Sequence, residues 1–513
     1  MGTSVRWTSI SDGNSIENFL RDKADIKLDA ATKRVCDHLR TLGVRSCVLE
    51  MGYLDKDFSH DFSAFYAHTF RSNTKECRRM HFFALDVAER LRPHQTEMWR
   101  WAEVVGEDGI ESYLGFIVLR PLQHAPLGRT NLRPPPQKPG VPRTVLVSPH
   151  EANLLGQRMK IECMPFIQQD AKVGACAQAA MWMAGRYNHC LRREGWHSVA
   201  DITRFATDPI DASLSTGLPA GADGLRLDHI ARAFRRMGYQ PQTFAVKSDA
   251  VRPIEIVARY VDSGIPPVLG LDLGEPVGHA VTVVGMEFHP HMPASARSVG
   301  DCVRSFLVHD DQRGCYLRLY ARASDADPND PDALNTVTDG TRRCLTVEDN
   351  FSSMIIALPS KVFLPGEKAE TAAAGLFRSA IAQNGGAGSK LKALSDAAAW
   401  VNEGLMVRTY LTTGESYKRS IARAKGMPPT WRKEILLTAL PRYVWVSEMR
   451  PKTAGIEPLT APMVGHVVID ATSASPEYAG LITAIPGLMF PYGKGTPQRD
   501  LAGESYSFPK PEW

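Results

Sequence analysis

The 513-residue chain has no Cys-x-x-Cys pair, and its nine cysteines are odd in number and scattered. That argues against a disulfide framework or a structural zinc site and leads to the expectation of free thiols in a reducing cytosol. No stretch approaches the roughly 18 apolar residues of a membrane span, and the N-terminal residues lack the apolar core of a secretory signal. A cytoplasmic protein without a membrane partner is therefore expected. There is no dense Lys/Arg run, and the formal net charge of +4 is small for this length, so no nucleic-acid partner is predicted. The glycine-rich stretch at 384–390 lacks the Gly-Lys-Ser/Thr order of a phosphate loop and a preceding strand. No organic cofactor and no metal are implied.

What is there is an ordinary globular composition, 43% hydrophobic and 23% charged. The chain is too long for one core, and several domains are expected. Residues 1–120 read as an α/β domain of unassigned role, with a helix over 30–42 and strands over 46–50 and 112–119. Its aromatic stripe of Tyr53, Phe58, Phe62, Phe65, Tyr66 and Phe70 reads as core. Residues 121–149 hold eight prolines and read as an extended connector rather than packed secondary structure. Residues 150–365 and 366–513 make two further units. In the last, the spacing predicts a helix over 390–402 and strands over 405–411, 443–449 and 465–471.

The chemistry concentrates at 166–187. This stretch reads as a short strand delivering Gln168 and Gln169, a tight glycine-containing turn, and a helix beginning at or next to Cys176, with Gly174, Ala175, Ala177, Ala179 and Ala180 crowded around it. A thiol at a helix start faces unpaired backbone N–H groups and the positive end of the helix dipole, both of which favour thiolate. Downstream, a helix over 229–237 ends at Gly238 and another covers 254–263. The strand 279–285 opens with His279, and the strand 305–310 ends in Asp310 and Asp311. Alternation places Asp310 on one face and Asp311 on the other without deciding which meets His279. Asn350 is a further candidate for the same place, and Gly465-His466 offers a rival histidine.

A thiolate, an imidazole that stabilises it, a group orienting the imidazole and donors for an oxyanion are what thiol catalysis requires. In this order the set resembles the papain-like cysteine peptidases, in particular their C39-like, bacteriocin-processing-type branch, over roughly 200 residues. The resemblance implies a fold of a Cys-led helix on an antiparallel sheet. It makes Cys176 the nucleophile, His279 the general base and acid, Asp310 the orienting carboxylate, and Gln169, with Gln168 as alternate, the oxyanion donor beside the Cys176 N–H. Gln169 lies seven positions before Cys176, one more than the family's usual spacing. The 31 positions from His279 to Asp310 are also more than usual and are assigned to a loop near 290–302.

The sequence thus leads to a multidomain α/β (α+β) protein with a papain-like domain at 150–365, acting as a cytosolic cysteine peptidase on a protein or peptide. The C-terminal region is expected to serve structure, regulation or substrate recognition. Flanking domains suggest an effector of stress or defence held back until triggered, by an activating partner or ligand that the sequence does not name. Transfer to an amine, as in transglutaminases, and an inactive papain-like scaffold that binds a partner are the alternatives.

Overall fold

The computed structural model describes the chain apart from residues 1–4, 11–12, 25, 71–72, 95–99, 171–174, 208–224, 246–251, 275–277, 339, 385–403, 453–458, 461–462, 492–497, 500–505 and 512–513. The helix expected at 390–402, the phosphate-loop-like stretch after Asn384 and the turn containing Gly174 lie outside the described residues. The chain is a mixed α/β protein built on three antiparallel sheets, each with its own helices.

The N-terminal sheet runs in sequence order through Val5–Ser9, Ser46–Tyr53, Cys77–Phe83, Tyr113–Leu119 and Leu127–Leu132. Tyr113–Leu119 is buried at every position, as its unbroken apolar run requires of a strand covered on both faces. Gly115 within it has φ +123°, and a Cβ there would lie 2.0 Å from the Asn131 carbonyl oxygen, so only glycine lets the neighbouring strand close. Phe58 and Tyr66 of the aromatic stripe are core, whereas Phe70 is fully exposed.

The central sheet has the order Gly314–Tyr320, Val303–Asp310, His279–Phe288, Val268–Leu271, Phe351–Pro359, Tyr239–Ala245. His279–Phe288 is buried along its whole length. Its valines, Met286 and Phe288 contribute on the order of 1.5–3 kcal/mol each by leaving water. Helix Cys176–Arg192 packs on this strand, and the Thr282 hydroxyl donates to the Ala180 carbonyl at 3.1 Å. The run of alanines in the first turns favours helix and keeps the surface flat enough for the strand to approach.

The proline-rich interval differs from expectation. Leu127–Leu132 closes the N-terminal sheet, and Arg143–Val145 pairs with the far half of His279–Phe288. The prolines flank these strands rather than interrupt them, since Pro126 precedes one and Pro134 and Pro142 bracket the gap between them. A proline outside the ladder removes no sheet donor, so richness in proline did not forbid packed strands here. The hairpin Ser148–Leu154 and Gln157–Cys163 follows.

The C-terminal sheet orders Leu405–Thr413, Tyr443–Pro451, Gly465–Asp470, Gly480–Ile485, Leu488–Pro491 and Gln498–Arg499. It is joined to the central domain by buried charge. Arg408 donates to both carboxylate oxygens of Asp262 at 2.8 and 3.1 Å, and Arg259 pairs with Glu367 and Glu370 at 2.8 Å. The segment between His279–Phe288 and Val303–Asp310 carries a short turn of helix at Val299–Cys302. It reaches the C-terminal sheet, where the Val407 N–H donates to the Arg297 carbonyl at 2.9 Å. No helix among the described residues is long and apolar enough to cross a membrane.

Candidate active site

Cys176 is the first residue of its helix, after an extended Ala175. The Gln178 side chain folds back and accepts the Ala175 N–H at 3.2 Å, which satisfies the donor just before the helix. Cys176 is buried, with 9% of the residue's surface exposed. A sulfur at this place is held against the electropositive end of a seventeen-residue helix.

His279 opens the central strand, paired with Leu271 on the next one. Its Nε2 lies 2.9 Å from Asp310 Oδ2, and the ring lines the same cavity as the Cys176 side chain, close enough for the sulfur to act on the imidazole's titration. With Nε2 committed to the carboxylate, Nδ1 is the nitrogen left for the sulfur. Burial alone would lower the imidazole's pKa. The bond to Asp310 and the sulfur of Cys176, together with the negative charge of Asp310 and Asp311, outweigh it and push the value up to about 10.

Asp310 ends Val303–Asp310 and is fully buried. Its Oδ2 accepts from His279 and from Arg313 Nη1 at 3.0 Å, while Oδ1 accepts the N–H groups of Gln312 and Arg313 at 2.9 and 3.0 Å. Burial opposes ionisation, but these donors prevail and hold the carboxyl below its ordinary range. The strand slips register between Val308 and Asp310. That irregularity, which simple alternation does not contain, belongs to the turn that presents Asp310 to the histidine.

Asp311 has the opposite fate. It is 1% exposed, neither carboxylate oxygen has a hydrogen-bond partner, and burial followed by repulsion from Asp310 pushes its pKa up to about 8. One ligand atom each from His279, Asp310 and Asp311 lie within 4.8 Å of one another, a spacing that could hold a metal ion. To do so His279 and Asp310 would give up their mutual hydrogen bond, with the Arg313 guanidinium standing on the same carboxylate oxygen. The donor set fits the hydrogen-bonded cluster of His279, Asp310 and Arg313 better than a cation.

The two glutamines are separated by their surroundings. Gln168 is buried and its amide is spent: Oε1 accepts the Leu127 N–H at 3.2 Å and Nε2 donates to Asp29 Oδ2 at 2.5 Å. Gln169 is half-buried, and its side chain makes no hydrogen bond with the described residues. Asn350 is not an orienting group for His279. Its Oδ1 accepts the Thr346 N–H and its Nδ2 donates to the Asp272 carbonyl, at 3.0 and 3.1 Å. His466 lies in the C-terminal core between two tyrosine hydroxyls, with no bond to Cys176.

Beside the sulfur and the imidazole opens a cavity of about 250 Å³. Leu227, Ile230, Val268, Met354 and Ile355 line it, and Ser352 and Ser353 add hydroxyls. A Cβ on Gly270 would sit 2.5 Å from the Ser353 hydroxyl, so glycine keeps this wall open. Sequence reasoning missed these residues and Arg313. They come from one helix, two strands and a turn, and no local pattern in the sequence marks them as neighbours. No family model and no curated protein matches the chain.

Proposed function

We propose that the chain is a cysteine peptidase of papain-like type, resembling the C39-like branch. It would cleave peptide bonds through Cys176, His279 and Asp310. The observation that carries the proposal is that the helix-start thiol and the His279 ring line one cavity, with a buried carboxylate 2.9 Å from the ring's Nε2.

The Cys176 thiolate attacks the substrate carbonyl carbon, and the carbonyl π electrons move onto oxygen. The Cys176 backbone N–H and the free amide of Gln169 receive that oxyanion. As it collapses, the C–N bond breaks and the departing amine takes the proton from His279 Nδ1, leaving a thioester. Water then attacks the thioester, giving its proton to His279. The C–S bond breaks, releasing the acid and restoring the thiolate–imidazolium pair. Asp310 keeps Nε2–H pointed at itself throughout, so Nδ1 always faces the sulfur. The cavity mixes an apolar wall of Leu227, Ile230, Val268, Met354 and Ile355 with the polar groups of Arg226, Ser352 and Ser353, which favours a substrate that carries both an apolar and a polar group next to the cleaved bond.

The test is digestion of a mixed-sequence peptide library in H2(18)O, read by mass spectrometry, for wild type and Cys176→Ala. The expected result is cleavage by wild type alone, with one heavy oxygen in each new carboxylate. Identical cuts by the variant would end the proposal.

A further inference from the structure

The segment bearing the two glutamines makes its described hydrogen bonds to the N-terminal domain rather than to the sheet that carries His279 and Asp310. Phe166 exchanges both backbone hydrogen bonds with Thr130 at 2.9 Å, and the Gln168 N–H donates to the Leu127 carbonyl at 3.0 Å. The Arg120 guanidinium, nearly buried, donates to the Gln168 carbonyl at 2.7 Å. The Tyr66 hydroxyl donates to Asp170 at 2.8 Å. Asp29 accepts from the Gln168 amide. The residues on either side of Gln169 are therefore each held by side chains of another domain, Gln168 by Asp29 and Arg120 and Asp170 by Tyr66.

Asp29 has a second task. Its other oxygen accepts the Thr32 N–H at 2.8 Å and so caps helix Ala30–Thr41. Farther along the same helix, Arg34 donates to the carbonyls of Cys315 and Tyr316 at 3.1 and 2.9 Å. These residues follow directly on the turn that holds Asp310. The fit is close: Gly314 has φ +115°, and a Cβ on it would lie 2.6 Å from the Arg34 side chain. One helix thus bears on the glutamine segment at its cap and on the strand beside the carboxylate along its body.

We infer that the N-terminal domain completes the active site, with Asp29 as a positioning residue that fixes Gln168 so that Gln169 presents its amide to the oxyanion. In an extended segment neighbouring side chains leave on opposite sides. Anchoring Gln168 toward the N-terminal domain aims Gln169 away from it, toward the Cys176 side. The inference rests on the peptidase reading. It adds that the catalytic core lacks a fixed oxyanion donor unless helix Ala30–Thr41 is docked.

The test uses the full chain. Asp29→Asn keeps an oxygen for the helix cap but turns an amide donor toward the Gln168 donor. Adding Gln168→Glu to that variant restores a donor–acceptor pair with the roles exchanged and still accepts the Leu127 N–H. Alkylation of Cys176 by iodoacetamide needs the thiolate–imidazolium pair but no oxyanion donor, so it is measured alongside turnover. The expected result for Asp29→Asn is a kcat loss of roughly 10- to 100-fold, since an ångström of misplacement costs about that much, with KM and the alkylation rate near wild type. The double variant is expected to recover most of the loss. Tyr66→Phe, which loses the bond to Asp170 and keeps its ring packing, is expected to lower kcat a few-fold and decides the matter if Asp29→Asn does not fold. Unchanged kcat in the folded variants, or parallel losses of alkylation and turnover that the double variant does not repair, overturns the inference. Absence of preferential Cys176 alkylation in the wild type instead brings down the peptidase reading beneath it.

Discussion

Helix Cys176–Arg192 has a thiol beside an imidazole at each end, and the two ends differ in almost everything else. At the N-terminus Cys176 lines a cavity with His279, which is backed by Asp310. In the last turn, Cys190 Sγ lies 3.6 Å from His150 Nδ1, and His150 Nε2 faces the Ser148 hydroxyl at 2.9 Å instead of a carboxylate. Burial, reinforced by the cations Arg129 and Arg186, pushes the His150 imidazole down to about 3. Burial also raises the Cys190 thiol, those same arginines offsetting only part of it. Cys176 stands at the electropositive end of the helix and Cys190 near the electronegative end. One imidazole is held toward its charged form and the other toward its neutral form, so a neighbouring sulfur does not by itself set the imidazole's charge. The group behind the imidazole decides.

His466 makes the same point without a cysteine. Like His279 it follows a glycine near the start of a buried strand, but its ring nitrogens face Tyr417 and Tyr506 hydroxyls at 2.7 and 2.5 Å. The neighbouring carboxylate, Glu448, is spent on Arg450 and Tyr410. Burial lowers His466 to about 4, with only a small opposing pull from Glu448.

The sharpest way to break the comparison is to delete each thiol. Cys176→Ala is expected to lower peptide cleavage at least ~1000-fold, whereas Cys190→Ala leaves it within about twofold. Equal losses would mean that the two ends of the helix are not distinct. Next come the histidines. At pH 6 an ordinary thiol of pKa about 8.5 is roughly 0.3% thiolate, so His279→Ala is expected to slow alkylation of Cys176 on the order of 100-fold. His150→Ala should leave Cys176 unaffected and Cys190 still slow.

Removing the carboxylate sharpens the comparison further, because it makes the first pair resemble the second. Asp310 favours the charged imidazole, so Asp310→Asn is expected to bring His279 down from about 10 toward its ordinary 6.5. The basic limb of the kcat/KM profile then moves to lower pH, with roughly a 10- to 100-fold loss at its former optimum. A basic limb that stays in place would show that Asp310 does not tune the imidazole.

The smallest effect belongs to Asp311. Its carboxyl lies near 3.8 when unfolded and about 8 in the fold, so between those values the folded state binds the extra proton. Stability from this group is complete below pH 4 and is lost as pH rises through about 8. Asp311→Asn removes that dependence. Its melting temperature is expected to fall less than that of wild type between pH 5 and pH 9, and an identical fall would assign the loss to other groups.

The parts of the site set by local pattern were legible in the sequence. A glycine- and alanine-rich approach to a helix marked Cys176. An apolar strand headed by a histidine marked His279, and a neighbouring strand ending in acid marked Asp310 together with Asp311. What was not legible depends on contacts between distant segments. The register slip before Asp310 is a property of two paired strands. The attachment of Gln168 to Leu127 and Asp29 links residues 41 and 139 positions apart, and nothing near either glutamine indicates which one is already committed. The strand Leu127–Leu132 was hidden by prolines that lie just outside it.

The most direct test of the account is competitive alkylation of the native full-length chain with limiting iodoacetamide at pH 6, followed by peptide mapping of all nine cysteines. The account predicts that Cys176 is labelled first, although Cys190 is the more exposed of the two, and that this preference disappears in His279→Ala. Labelling of Cys190 ahead of Cys176, or a Cys176 rate indifferent to His279, would contradict it.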